Sequence, residues 1–329
     1  MAKIKWGIIS TAKIAREHVI PGIQQGQYSE IYAIASREKE AAAKVAEQLS
    51  IPVIYGSYEE LLADPAVQAV YNPLPNHLHV EWSIKAAEAG KHVLCEKPLG
   101  VDAQDAEKLV NVCRERGVLL MEAFMYRTHP QWVLAKEYVT SGKIGDLKAI
   151  QVFFSYMNRD PNNIRNRGDL AGSGGLMDIG CYPVSLSRFI FDSEPKRVVA
   201  LVNRDPELGT DVLSSAILEF ERGHATFTCS TQLMPYQRVN ILGTQGRFEI
   251  DIPFNAPENR STNVYYFSSD GAETRQIAPC HQYQIEVDLF SKAILDGTPL
   301  PTPPSDAVAN MRVLDALFRS EKSQNWETV

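Results

Sequence analysis

Three side chains in this 329-residue sequence are of the kinds that move protons at a hydroxyl-bearing carbon: Lys97, Asp178 and Tyr182. Lys97 closes the run Gly90-Lys91-His92-Val93-Leu94-Cys95-Glu96-Lys97-Pro98, in which a short apolar strand leads into a lysine and then a proline. Hydride removal from an alcohol carbon needs a base for the hydroxyl proton. A free lysine is a poor base, with a pKa of about 10.4. Partly desolvated beside a positive nicotinamide ring, that value falls. Pro98 restricts the backbone of Lys97 and permits a cis bond there. A strand-end lysine reaching into solvent is the commoner case, and only its company argues otherwise.

That company is Gly172-Ser173-Gly174-Gly175-Leu176-Met177-Asp178-Ile179-Gly180-Cys181-Tyr182. The glycines let the chain approach a ligand or another backbone closely. Asp178 and Tyr182 stand four apart and share a face if the stretch is helical. A carboxylate and a phenol so placed can bind a diol and exchange a proton with Lys97. Spacing alone serves equally well a helix-end carboxylate beside a half-buried tyrosine.

A cofactor site is suggested at the N-terminus, where a strand turns into a helix at Gly7-Ile8-Ile9-Ser10-Thr11-Ala12-Lys13-Ile14-Ala15. A dinucleotide fingerprint carries three glycines at such a bend. Here Gly7 remains, while Ser10 and Ala12 stand in as small residues. With Thr11 and Ile14 they would line a pyrophosphate at the helix N-terminus. The second strand ends Ala35-Ser36-Arg37, without the acidic residue that holds an NAD ribose. Ser36 and Arg37 suit a 2′-phosphate, so NADP is favoured, with NAD possible. Arg127 and Arg165 are of a length to reach the nicotinamide amide or ribose. His281 and Tyr283, at the start of a late helix, are candidates for the substrate pocket.

Two kinds of element carry these residues. Residues 1–124 alternate strands (Lys5–Ile9, Ile31–Ser36, Val53–Tyr55, Ala69–Asn72, His92–Cys95, Leu119–Glu122) with helices (Ala12–Gln24, Lys39–Leu49, His79–Ala89, Ala103–Arg116). This predicts a doubly wound α/β Rossmann domain with a parallel sheet. Residues 125–329 run through strands in succession, from Lys148–Tyr156 to Val264–Phe267. Helices are expected only at Gly180–Phe191, Gln282–Leu295 and Asp306–Lys322. This predicts an α+β domain with a large, mostly antiparallel open sheet. So few helices leave one sheet face for another subunit, as a homodimer or homotetramer.

A net charge of −7 argues against a nucleic-acid partner. The five cysteines form no CxxC pair, which fits reduced thiols in the cytoplasm better than disulfides or a zinc site, and no metal is expected. No apolar run approaches membrane-spanning length.

The segments Lys91–Pro98, Asn76-His77-Leu78-His79 and Gly174–Tyr182 together resemble the Gfo/Idh/MocA oxidoreductases, the family of glucose–fructose oxidoreductase and inositol dehydrogenase. The resemblance covers almost the whole chain. It implies NAD(P)-linked oxidation or reduction of a small-molecule sugar, polyol or diol, with Lys97 acting alongside Asp178 and Tyr182. It also implies that the loop from Asn72 runs along the cofactor, with Pro73, Leu74, Asn76, His79 and Glu96 among the contacts. Many members carry histidine where Tyr182 stands. Tyrosine there, with Ser36-Arg37 and Met121–Arg127, is more similar to the dimeric dihydrodiol dehydrogenase and NADP-dependent xylose dehydrogenase branch, and glucose–fructose oxidoreductase also has tyrosine at that place. Two other roles occur on this scaffold: enzymes that keep their cofactor bound, for sugar interconversion or redox-assisted glycosidic cleavage, and non-catalytic dinucleotide-binding regulators. The latter have no need of Lys97, Asp178 and Tyr182 together.

Overall fold

Short apolar runs separated by helices build a six-stranded sheet in the computed structural model, which describes residues 2–329. The strands are β1 (Ile4–Ile9), β2 (Ser29–Ala35), β3 (Val53–Tyr55), β4 (Ala69–Asn72), β5 (His92–Glu96) and β6 (Leu120–Ala123). Their order is β3-β2-β1-β4-β5-β6, and every pairing is parallel. The chain winds outward from β1 to β3, then returns to β1's other side as β4. That reversal opens a crevice at the carboxyl ends of β1 and β4, where ligands of such sheets bind. Because helices cover both faces, the strands are apolar on both sides: Ile8, Ile9, Ile34, Val70, Val93 and Leu94 are all fully buried.

The helix after β5, Ala103–Arg116, shows how sequence sets the boundaries here. The Asp102 carboxylate accepts the Asp105 N–H at 2.8 Å at its start, and Gly117 takes a φ of 68° at its end. The helix after β4 begins earlier than expected, at Asn76, because Pro75 ends the irregular loop in an extended conformation from which a helix can start. After β1, a wide π turn at Ala15–Val19 leads into Ile20–Gln25.

The first unit comprises residues up to Met125 together with His281–Val308. A single cut between residues 124 and 125 therefore misses the returning helix Gln282–Asp296. That helix buries Val287 and Phe290, and the Trp6 indole N–H donates to Ser291 Oγ at 3.1 Å. The Asp288 carboxylate accepts the Gln27 and Tyr28 N–H groups at 2.9 and 3.0 Å, fixing the entry to β2. Nothing in the local pattern of an amphipathic helix names the sheet that it covers.

The second unit, Tyr126–Cys280 with Ala309–Val329, holds a nine-stranded sheet. Its strands are β7 (Leu147–Met157), β8 (Arg197–Arg204), β9 (Asp211–Glu219), β10 (His224–Ser230), β11 (Gln232–Gly243), β12 (Gly246–Ile250), β13 (Thr262–Ser268), β14 (Gly271–Ile277) and β15 (Glu327–Thr328). The order is β14-β13-β12-β11-β7-β10-β9-β8-β15, antiparallel except where β7 lies parallel to β10. Strand alternation divides the residues by face. Val152, Phe154, Val198, Leu218, Phe227, Val239 and Ile241 are buried, whereas Leu201, Ile217 and Tyr236 stand 66%, 39% and 52% exposed. One helix here was not expected from sequence, Pro130–Thr140. Pro130 opens it, His129 caps it, and Trp132 Nε1 donates to Pro253 O at 2.6 Å.

Candidate functional site

The first unit gathers one group of candidate residues at the carboxyl edge of its sheet. Gly7 lies inside β1, where a Cβ would press on Leu61 and Val67, so its smallness serves packing below the turn. The turn itself is made by Ser10, which adopts a φ of 91° that L-residues rarely take. Its N–H is held by Ala35 O at 2.9 Å, and its hydroxyl accepts the Ala12 N–H at 3.2 Å. Thr11, Ala12 and Ile14 remain partly exposed at the helix start. The first N–H groups of a helix lack intrahelical acceptors and attract anions. At the end of β2, Ser36 is buried with its hydroxyl on the Glu38 N–H, and Arg37 is exposed. A cation past the second strand and a helix N-terminus past the first fit the phosphates of a dinucleotide.

Lys97 follows β5, and its peptide bond to Pro98 is cis. Its segment is held through the backbone from three elements. Glu96 Oε2 accepts the Lys97 N–H at 3.3 Å, and Glu122 Oε1, on β6, accepts the Leu99 N–H at 2.8 Å. His79 sets its Nδ1 2.9 Å from Pro98 O and its Nε2 2.6 Å from Leu74 O. The structure thus places His79 in the interior, between the Asn72–Pro75 loop and the lysine segment. Burial lowers its pKa to about 4, so the ring is neutral and only one of the two carbonyls receives a proton from it. Asn72 fastens the same loop, giving its amide to His79 O and Ser83 Oγ and accepting the Leu74 N–H. Pro73 and Leu74 are buried in that loop, and Asn76 starts the helix.

Sequence reasoning missed the acid cluster beneath this edge. Tyr71 donates to Glu96 Oε1 at 2.5 Å, and Glu286 is 2% exposed. Burial first, then the charge of Glu96, pushes the Glu286 carboxyl well above the usual range. A tyrosine inside β4 and a glutamate inside a late helix carry no local signal of this meeting. His281 caps that helix through the Gln284 N–H, and Tyr283 stacks on His18 with centroids 5.0 Å apart.

The second unit gathers the other group. The stretch Leu176–Gly180 is a π turn running directly into the helix Cys181–Phe191, so Asp178 and Tyr182 do lie on one continuous helical segment. Both oxygens of the buried Asp178 carboxylate are engaged. Arg165 Nε donates to Oδ1 at 2.7 Å, and the Tyr156 hydroxyl donates to Oδ2 at 2.5 Å. Burial, and then the Asp178 charge, hold the Tyr156 phenol far above its ordinary pKa, so it keeps its proton and donates. Tyr182 is 6% exposed among Tyr126, Phe154 and Phe254, with centroids 4.9–5.8 Å away. Arg127, expected at the cofactor, donates to Ser185 O and Oγ at 3.1 and 2.9 Å and so braces the Tyr182 helix. Arg165, likewise expected there, has Asp178 as a partner. Tyr156 was missed because, in an alternating strand, it reads as one more sheet residue.

The first unit can therefore cradle a phosphate-rich cofactor and present an amine at the sheet edge. The second presents an oriented carboxylate and a phenol in apolar surroundings. The sequence matches the family model of an oxidoreductase family with an NAD-binding Rossmann fold over residues 4–124, and that of the GFO/IDH/MocA C-terminal domain over 132–249. It is 45% identical to an uncharacterized oxidoreductase of Rhizobium meliloti, covering 100% of both chains. It is 38% identical to a D-xylose 1-dehydrogenase (NADP(+)) of Haloferax volcanii, covering 97% of both. Among solved structures, a 3-ketoreductase from Actinomadura kijaniata in complex with NADP and TDP-benzene superposes with a TM-score of 0.90 at 31% identity, covering 97% of this chain and 98% of that one.

Proposed function

The chain belongs to the Gfo/Idh/MocA oxidoreductase family, and from that premise we propose that it is an NADP-preferring dehydrogenase or reductase acting on a CH–OH group of a sugar, polyol or vicinal diol. The observation that carries the reading is Lys97 at the carboxyl edge of β5, its segment held by Glu96, His79 and Glu122. The NADP-linked relative and the Arg37 cation past β2 support the cofactor preference.

Bound nicotinamide would supply the hydride acceptor or donor. In the oxidative direction Lys97 Nζ takes the hydroxyl proton as hydride leaves the carbon; in the reductive direction the Tyr182 hydroxyl gives a proton to the substrate oxygen. Asp178, fixed by Arg165 and Tyr156, accepts hydrogen bonds from neighbouring hydroxyls and orients them. The rings of Tyr126, Phe154 and Phe254 fix the Tyr182 ring in place.

The test is nicotinamide absorbance with D-xylose, other aldoses, polyols and vicinal diols, using NADP⁺ and NAD⁺. Turnover should appear with NADP⁺, fall by roughly 10²–10⁴-fold in Lys97→Ala, and shift towards NAD⁺ in Arg37→Asp. Undiminished turnover in Lys97→Ala would overturn the reading.

We propose further that the uncovered face of the nine-stranded sheet takes a second copy of this chain. Leu201, Ile217 and Tyr236 stand out on it, and Arg238 is the one charged residue in the concave row through Phe153, Ser215, Thr226 and Thr228. The charges of that face are paired within it, Arg197 with Glu219 and both Arg238 and Arg247 with Glu249, so it can meet its own copy without unpaired like charges opposed. Leu201→Arg should convert a dimer or tetramer to a smaller species in light scattering; a wild-type monomer would reject the proposal.

A further inference from the structure

Asp211, at the first position of β9, is 1% exposed and takes no part in the chemistry above. Its Oδ2 accepts the Leu176 N–H at 2.5 Å, at the start of the helical segment that carries Asp178 and Tyr182. Its Oδ1 occupies the place a side chain at Gly174 would need, for a Cβ built there overlaps that oxygen. Gly174 has a φ of 99°, and a Cβ on Gly175 would stand 3.2 Å from Asp211 O. The glycine run is therefore shaped around this carboxylate. Gly174 then acts in two directions: its N–H donates to Arg165 O at 2.9 Å, and its carbonyl accepts the Asp178 N–H at 3.0 Å. One glycine thus fixes both members of the Arg165–Asp178 ion pair, and Asp211 fixes that glycine.

We propose that Asp211 is a positioning residue for the reaction: its carboxylate sets the Gly174–Leu176 turn, and the turn holds Asp178 and Arg165 in the geometry of their pairing. A negative charge at a helix start also opposes the helix dipole favourably, so the ionised carboxylate holds the turn more firmly than the neutral acid. Burial raises the Asp211 pKa to about 6. The groups that act on it are the Leu176 N–H, the Arg204 guanidinium on β8, the Glu321 carboxylate on the last helix, and the Cys229 thiol on β10. Arg204 is itself committed to Glu321, at 2.6 and 2.8 Å. The turn is thereby held firmly above about pH 6 and less firmly below it.

This inference rests on the oxidoreductase reading, so Lys97→Ala is assayed beside Asp211→Asn and Asp211→Leu. With the best substrate of the panel, Asp211→Leu should lose on the order of 10–10²-fold in kcat, as misplacement of a reacting group does. Its affinity for NADP⁺, followed by nicotinamide fluorescence, should not change, because the contacts described for Asp211 lie in the second unit. Asp211→Asn keeps an acceptor for Leu176 but not the charge. It should show a lowered kcat without the rise near pH 6 expected of the wild type. Amide exchange over Leu176–Gly180 should quicken in both variants, a readout independent of turnover. A purely structural role would lower the melting temperature and leave the pH profile in place, which overturns the proposal. So would wild-type kcat in Asp211→Leu; if that variant does not fold, the Asp211→Asn profile decides. Lys97→Ala retaining full turnover would instead remove the oxidoreductase reading, leaving the exchange result to judge the positioning of the turn.

Discussion

The two units house a buried carboxyl group in opposite ways. In the second, Asp178 is surrounded by donors: a guanidinium and a phenol donate to its two oxygens, and its N–H is tied to Gly174. In the first, Glu286 meets the like charge of Glu96 and a fully buried setting, and both favour its neutral form. A charge held by donors can orient hydroxyls and stabilise developing positive charge. An acid held by protonation keeps a polar group under the sheet edge without a counter-ion, and its cost varies with pH. In the proposed mechanism the donor-held carboxylate stands with the reacting group, and the protonated acid belongs to the scaffold.

That contrast breaks most visibly at Asp178. Asp178→Asn removes the charge and replaces one of the two acceptor oxygens by an NH2, so either Arg165 or Tyr156 loses its acceptor, and kcat/KM should fall by on the order of 10²-fold. Tyr156→Phe removes one of the two donors and leaves Arg165. A hydrogen bond to a charged group is worth about 1.5–3 kcal/mol, so roughly a tenfold loss or somewhat more is expected. Steady-state kinetics on both variants test the order of effects. Equal losses would mean that Tyr156 itself reacts, and wild-type rates in Asp178→Asn would take that carboxylate out of the chemistry.

Local pattern made the first unit's sheet legible almost strand by strand, because each parallel strand needs a continuous apolar run and each crossover a helix. Lys97, Asp178 and Tyr182 were legible as residue types at telling positions. What holds them was not. Tyr156 and Arg165 meet Asp178 from 22 and 13 residues away, and Asp211 meets Leu176 from 35. Such pairings follow from sheet order, and sheet order here defies chain order. Thr231 alone separates β10 from β11, yet β7 lies between them. The glycine run was legible as a place of close approach, but the approaching group proved to be Asp211. Arg127 and Arg165 read as cofactor contacts because a long cation near a site has many uses. Their bonds to Ser185 and Asp178 come from the helix and the turn beside them.

The smaller effect concerns the neutral acid. Glu286 has a folded-state pKa well above its unfolded value, which lies near 4.3. The folded state therefore binds the extra proton. Its contribution to stability is fully present below the unfolded pKa and is lost as pH rises towards the folded one, by at most about 1.4 kcal/mol per pH unit. Glu286→Gln keeps the shape and cannot ionise, so it does not suffer that loss. Its melting temperature should match the wild type near pH 4 and exceed it by a growing margin up to pH 8. A melting profile for Glu286→Gln that runs parallel to that of the wild type across that range would mean that Glu286 is charged in the folded protein, and the contrast between the units would fail.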